Sequence, residues 1–591
     1  MINVRHTLFL LICISVGQLF AQTQDSSKRV RVIHADLWRL ERFEDKEYQY
    51  LSKDVLVQHR QTYFLCDSAV ILNNKVRAVG HVRIVEGDSL QIFGDTLDYD
   101  GDALLADFQG NVVLRHRDRK LFCDQLRYDL KKRIASYQTG AVLTTDSVSL
   151  KSRKGYYYAK QEQAFFKDSV IVLMQDSMQL LADSLVYEAK QQIVKFTGPT
   201  SIVQKELAIY TDAGYYDVKN QFSSLDQYPR YKRGNQTAEA QFIKYNTKEG
   251  IITLKNNAWI RDSLKEAKGD SIYFNEKTNW VYILGNAEYI EGNRILKGDQ
   301  IHFNRATQSL QVEGRSTVVE NGRTINSDQL NYEASTDLGI AQGKVIVTDS
   351  IDDYSIYCDS LIYNKKIQFF RAFGQRPYIS TKLDDDTLFL AADNLIAQQM
   401  QTDKDSFRIL DAYGNVEMWS KKMQSVCDSL HFHGKDSVFT LYHNPILWSD
   451  STQFKGDTVL MHLANKALKK IDLLQSAFII NESSDSLNSQ LKGRIINAYF
   501  QTKKIHHVLV TGNAESIYFI QEDNKSYIGT NFIQCSKMNI QFNEQQKIHL
   551  IDFYTKPQGM MIPIQDGKKK YLEGYALYNK LKPKNFEDLF N

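Results

Sequence analysis

Between residues 80 and 129 apolar and polar side chains alternate with a period of two, interrupted at regular points by glycine, aspartate and asparagine. Val82 and Ile84 fall on one face, as do Leu97 and Tyr99, Val112 and Leu114, and Leu126 and Tyr128, because successive side chains along a strand point to opposite sides. The pairs Gly94-Asp95, Asp100-Gly101 and Gly110-Asn111 read as turn formers between short strands. Alternation with one apolar face predicts a sheet with one wet side and one buried side. No stretch of useful length carries the 3.6-residue period of a helix.

The pattern repeats. Asp95, Leu97 and Tyr99 return as Asp124, Leu126 and Tyr128, as Asp183, Leu185 and Tyr187, as Asp328, Leu330 and Tyr332, and as Asp359, Leu361 and Tyr363. The aspartate recurs about every 29 positions, a period that marks a stack of units sharing one core rather than a string of separate domains. The sequence therefore predicts an all-β chain: an elongated, repetitive, twisted β-jellyroll, taco- or solenoid-like, of about 16 units of about 29 residues. A lead-in with the first strand is expected over residues 22–45, regular repeats over 46–365, and longer, more divergent repeats over 366–555. Residues 556–591 carry no repeat and read as a C-terminal appendage.

Composition sharpens this picture. The chain has only seven prolines among 591 residues, where ordinary usage gives about 30, as expected of a long hydrogen-bonded ladder. A net charge of +3 on 143 charged residues argues against a nucleic-acid partner. Residues 1–21 read as a secretory signal, with Arg5 and His6 before an apolar run that ends near Ala21. Cys66, Cys123, Cys358, Cys427 and Cys535 each precede a repeat anchor, and no two lie in consecutive units. The spacing predicts small buried residues without disulfides.

Candidate chemistry is thin. The recurrent Asp has the chemistry of a calcium ligand or an acid–base group, but one carboxylate per unit is what turn capping requires, whereas catalysis needs a converged pair. His431 and His433 share a face without an evident third metal ligand, and no nucleophile stands beside a base. No catalytic residue, metal or cofactor is assigned. The apolar face is left as the functional surface. Its residues either fill a dry core, which pattern alone favours, or line a groove for acyl chains.

The runs Arg31 to Asp36, Leu65 to Ala69, Ala78 to Ile84 and Gly94 to Gly101 resemble the OstA-like family, relatives of the periplasmic protein LptA and of the N-terminal domain of LptD. The resemblance is strongest over about residues 28–365 and stays in register to about 540. It implies a non-enzymatic periplasmic lipid-transport protein that holds lipopolysaccharide acyl chains in an apolar jellyroll groove and bridges inner to outer membrane. Groove-lining candidates are then Val82, Ile84, Leu97, Tyr99, Val112, Leu114, Leu126, Tyr128, Leu185, Tyr187, Leu330, Tyr332, Leu361 and Tyr363. The implied partners are lipid A, an inner-membrane exporter complex and an outer-membrane translocon, joined through end strands, with head-to-tail self-association by the same edges. The alternative is a structural or adhesive β-solenoid with a dry core and no lipid cargo.

Overall fold

The computed structural model describes residues 29–590 except 88, 175–177, 384–385, 403–404, 483–486 and 523–525. The signal segment expected over residues 1–21 lies outside the described residues. The fold is 72% strand, and the chain divides into two compact units, residues 1–234 and 235–591.

In the first unit the strands Lys46–His59, Thr62–Leu72, Lys75–Glu86, Leu90–Asp100, Leu105–His116 and Arg119–Asp129 form an antiparallel meander, each bonded to the next. One 29-residue repeat is thus a pair of strands. Every pairing slips register near mid-strand, between Leu65 and Ser68, Val79 and Val82, Phe93 and Thr96, and Gln109 and Val112. At these points two consecutive residues turn left-handed, Gly80 and His81 at φ +80° and +47°, Gly110 and Asn111 at +77° and +43°. Such a bulge bends its strand. The bend is large enough to fold each strand over on itself. Glu86 and Tyr128 stand near opposite ends of the strand direction, roughly 35 Å apart in a flat sheet of 11-residue strands, yet Tyr128 donates a hydrogen bond to Glu86 at 2.5 Å. The two halves of each strand therefore face one another, which makes a jellyroll.

The bend also corrects the expected place of the repeated aspartate. It stands at mid-strand instead of at a strand start, and it does not cap its own turn. Its carboxylate lies across the left-handed glycine of the next strand, and a Cβ added at Gly110 would come within 2.4 Å of Asp95 Oδ2. The residue after that glycine then donates to the carboxylate: Asn111 to Asp95 at 2.8 Å and Asn415 to Asp393 at 3.0 Å, with His81 against Asp67 at 2.8 Å. Gly94-Asp95 and Gly110-Asn111 are corners, while the hairpins turn at Asn73-Asn74, Asp100-Gly101 and their equivalents.

The second unit repeats the design from Ile251–Asp262 through Tyr354–Asn364. The longer repeats near the C-terminus reflect longer strands, reaching 16 residues in Ala467–Glu482 and 18 in Lys504–Gln521. Strand pairing runs on through Gln558–Ile562, inside the stretch expected as an appendage, and the chain beyond it is nearly without strand. That tail lies back over the outer face of the sheet. Leu572 is buried with Phe478, Ile480, Ile517 and Phe519, its N–H donates to Gln490 at 2.9 Å, and the Tyr578 N–H donates to Gln453 at 2.9 Å. Phe586 reaches the ring of Phe389 at 4.4 Å.

Inward-facing residues from both halves fill the interior, with Val82, Ile84, Leu97, Val112, Leu114 and Leu126 all buried. The five described cysteines are free. Burial pushes the thiols of Cys66, Cys123, Cys358 and Cys427 up to about 12.

Candidate functional site: the mouth of the jellyroll

Folding each strand in half leaves a spine, where the aspartate–glycine corners run, and a mouth, where two rims of hairpin turns face each other. In the first unit one rim carries the turns at 60–61 and 117–118, the other those at 73–74, 101–104 and 130–133. The mouth there is laced shut. Tyr99 OH meets His59 Nδ1 at 2.5 Å, Tyr157 OH meets His116 Nδ1 at 2.6 Å, and Glu86 takes Tyr128 at 2.5 Å and Arg133 at 3.2 Å. Arg119 and Arg117 clasp Glu162 at 2.7 and 2.8 Å. These rungs are largely buried: His59, His116 and Arg119 are all within the core, and burial raises the Tyr99 and Tyr128 phenols and pushes Tyr157 up to about 12. Phe64 closes the space beneath, 4.6 Å from the Tyr99 ring. Tyr99 and Tyr128 thus end as rungs of a closure over a filled interior.

The second unit is built differently. Among the described residues two sizeable cavities lie between its rims, besides a small one of about 80 Å³ between Leu383 and Phe500. One of about 460 Å³ is floored by Ile260, Ile272, Phe274, Ile283 and Phe303. The other, of about 430 Å³, is floored by Val318, Ile325, Val347, Ile356, Leu361 and Phe370. Both fall in the usual size range of small-ligand sites. What crosses the mouth here is long and solvated. Lys365 on one rim reaches Glu320 on the other at 2.5 Å, Arg408 reaches Asp352 at 2.6 Å, and Arg305 stands 3.8 Å from Asp262. The Lys365 and Asp352 side chains are each 48% exposed, and their partners Glu320 and Arg408 25% and 28%. Exposed pairs of this kind are worth about 0–1 kcal/mol each, so parting them costs little. Asp349 is more deeply set. Burial works to raise its pKa, but a hydrogen bond from Arg323 at 2.7 Å and the N–H groups of Ile351 and Asp352 hold it below the ordinary carboxylate value.

Of the fourteen candidate residues, twelve are buried, and Tyr332 and Tyr363 are half-buried. Tyr332, Leu361 and Tyr363 line the 430 Å³ cavity together. Phe274 and Phe303 in the other cavity hold the tyrosine position of looser copies of the repeat, Asp270 to Phe274 and Asp299 to Phe303, but neither they nor Ile283 stood among the candidates. The charged rim was also missed. Rim residues sit at strand ends, where polar side chains are ordinary, and nothing in the local sequence says which faces a cavity. His431 is held by Asp411 at 2.7 Å and His433 by Asp436 at 2.9 Å, with ring centroids 6.2 Å apart.

Comparison with known families places this architecture. A model described as OstA-like protein matches residues 27–177 and 235–352. A second, described as LptA/(LptD N-terminal domain) LPS transport protein, matches residues 149–280. Over these residues the chain is OstA-like. The 460 Å³ cavity lies within the span that the OstA-like model matches, whereas the 430 Å³ cavity straddles its end at residue 352, with about half of its lining beyond, out to Arg408. Among solved structures, that of LptH, the LptA-homologous periplasmic component of the conserved lipopolysaccharide transport device from Pseudomonas aeruginosa, is 17% identical with a TM-score of 0.17, over 18% of this chain and 79% of that one. No curated protein matches.

Proposed function

We propose that this OstA-like protein is a periplasmic, non-enzymatic carrier of lipopolysaccharide, and that it holds acyl chains in the mouth of its second unit. The observation that carries the reading is the pairing of apolar-floored cavities with a mouth crossed by partly exposed ion pairs. An acyl chain entering there buries apolar surface at about 25 cal/mol per Å², more than enough to offset the parting of such pairs. The family description, LPS transport protein, supplies the cargo class.

Bridging between the membranes fits the ends of the two units. Among the described residues the strand Leu37–Phe43 is paired on one side only, by Lys46–His59, and it exposes Leu37, Trp38, Leu40 and Phe43. In the second unit Met560 and Met561 on the strand Gln558–Ile562 are exposed as well. Open apolar edges are templates for strand addition, and they suit docking to an exporter complex, a translocon or a second copy. The sealed mouth of the first unit favours a dry-core, scaffolding role for that unit.

In-cell photocrosslinking tests the reading. Probes at Tyr332, Leu361 and Tyr363 capture lipopolysaccharide, and probes at Leu97 and Leu126 under the laced mouth capture less. Absence of capture at all three mouth positions, in protein that still supports envelope assembly, overturns it and leaves the dry-core solenoid.

A further inference from the structure

We infer that Arg294 is the anion-recognising residue of this mouth, and that the amphiphile seated there bears an acidic group, phosphate or carboxylate, where its chain enters the 430 Å³ cavity. The inference rests on the proposed carrier function and goes further by assigning a residue and a headgroup charge.

The charge balance of the rim comes first. Four cations line this cavity, Arg294, Arg323, Lys365 and Arg408, against three carboxylates, Glu320, Asp349 and Asp352. Each carboxylate is taken: Glu320 by Lys365 at 2.5 Å, Asp349 by Arg323 at 2.7 Å, Asp352 by Arg408 at 2.6 Å. Two acids close to Arg294 in sequence are also engaged, Glu291 with Lys265 at 2.8 Å and Glu288 with Lys297 at 3.2 Å. Arg294 is left over, without a carboxylate partner among the described residues.

Its geometry suits an oxyanion. Arg294 opens the strand Arg294–Asn304 on one rim and reaches across to Tyr332 on the other, its guanidinium carbon 5.4 Å from the ring centroid. The Tyr332 hydroxyl donates to Asp337 at 2.9 Å, which fixes the ring. A guanidinium held against an aromatic face keeps its in-plane N–H donors free at the edge, and that fork matches two oxygens of a phosphate or carboxylate. Arg294 Nε is buried and has no hydrogen-bond partner. A buried donor left unmade costs about 1–3 kcal/mol, which an arriving oxygen recovers. Below lies the apolar floor of Val318, Ile325 and Leu361. A cation at the lip with grease beneath selects a molecule that is anionic at one end and apolar at the other.

Titration calorimetry on the full chain, with three ligands below their micellar concentrations, tests this: dodecyl phosphate, dodecanoate and dodecyl maltoside, with inorganic phosphate as a fourth. The two anionic amphiphiles bind more tightly than the maltoside. R294Q weakens both about tenfold, the loss of one charge-assisted hydrogen bond, and leaves the maltoside within about twofold. R77Q, at an exposed arginine of the first unit, changes none of them. Inorganic phosphate binding as tightly as dodecyl phosphate assigns a free-anion site instead and overturns the amphiphile. Equal binding of the three amphiphiles, unmoved by R294Q, overturns the role of Arg294 while the carrier reading stands. Binding of none of the three removes the carrier reading itself. If R294Q does not fold, salt decides on the unaltered protein: the anionic preference falls as salt rises, and a preference unchanged by salt refutes it.

Discussion

Replacing Gly110 with alanine tests the corner on which the whole jellyroll depends. Gly110 sits at φ +77°, and its added Cβ would lie 2.4 Å from Asp95 Oδ2 and 2.9 Å from Asp95 Cβ. The left-handed backbone alone costs a residue with a Cβ about 1–2 kcal/mol. The contact with Asp95 adds about 1–3 kcal/mol, because its Cβ is anchored to the neighbouring strand and cannot swing away. The total of about 2–5 kcal/mol falls on one corner. In a stacked protein the loss stays local, so the right assay is hydrogen exchange by mass spectrometry on peptides from Leu90–Asp100 and Leu105–His116. Exchange there accelerates by about thirty-fold to several thousand-fold, while strands far along the stack keep their rates. Asp95→Gly alone loses the Asn111 bond at 2.8 Å, about 0.5–1.5 kcal/mol. The double variant is then less destabilised than the sum by the contact share, about 1–3 kcal/mol. Strict additivity refutes the interlock between aspartate and glycine, and wild-type exchange in Gly110→Ala refutes the corner. The chain already contains a version of this experiment. Where the anchor is Gln241 instead of aspartate, the facing corner is Asn256-Asn257, without glycine, and Asn256 bonds Gln241 at 2.8 Å.

The laced mouth of the first unit should loosen in acid. Burial depresses the His116 pKa below its ordinary 6.5, so the stability it contributes is complete above 6.5. That contribution falls away as pH drops through the window beneath, where the unfolded chain takes the proton first. Exchange of peptides holding His116 and Tyr157, corrected for intrinsic rate, rises as pH falls below 6.5, and a flat profile contradicts the closure. The tail predicts a stability effect, since Leu572→Ala removes a side chain buried against Phe478 and Phe519 and costs about 2–5 kcal/mol. Dye binding to the exposed outer face reports it, and an unaltered melting profile argues against the strap. For the thiols, burial pushes Cys66 and Cys358 up to about 12. At pH 8 neither is alkylated in the folded protein, and both are after denaturation. Rapid labelling of either in native protein disproves the closed core around it.

The sequence alone determined the class of structure and the part each position plays in it. Alternation over i and i+2 is a local property of a strand, so Leu97, Tyr99, Leu126 and Tyr128 were legible as inward without any fold. A fixed 29-residue interval likewise marked the aspartate as punctuation rather than catalysis. Tertiary structure decided where the strands bend, because Gly-Asn and Gly-Asp suit a hairpin and a mid-strand bulge equally well in backbone terms. It also decided which stretch of the mouth is sealed and which holds a cavity. The rungs join residues 40 to 47 positions apart, His59 to Tyr99 and Glu86 to Arg133 among them, and they meet only after each strand has folded over. Whether Arg294 finds a carboxylate depends on those long-range meetings and not on its neighbours in the chain, which is why the feature that most sharply suggests a ligand could not be read from sequence.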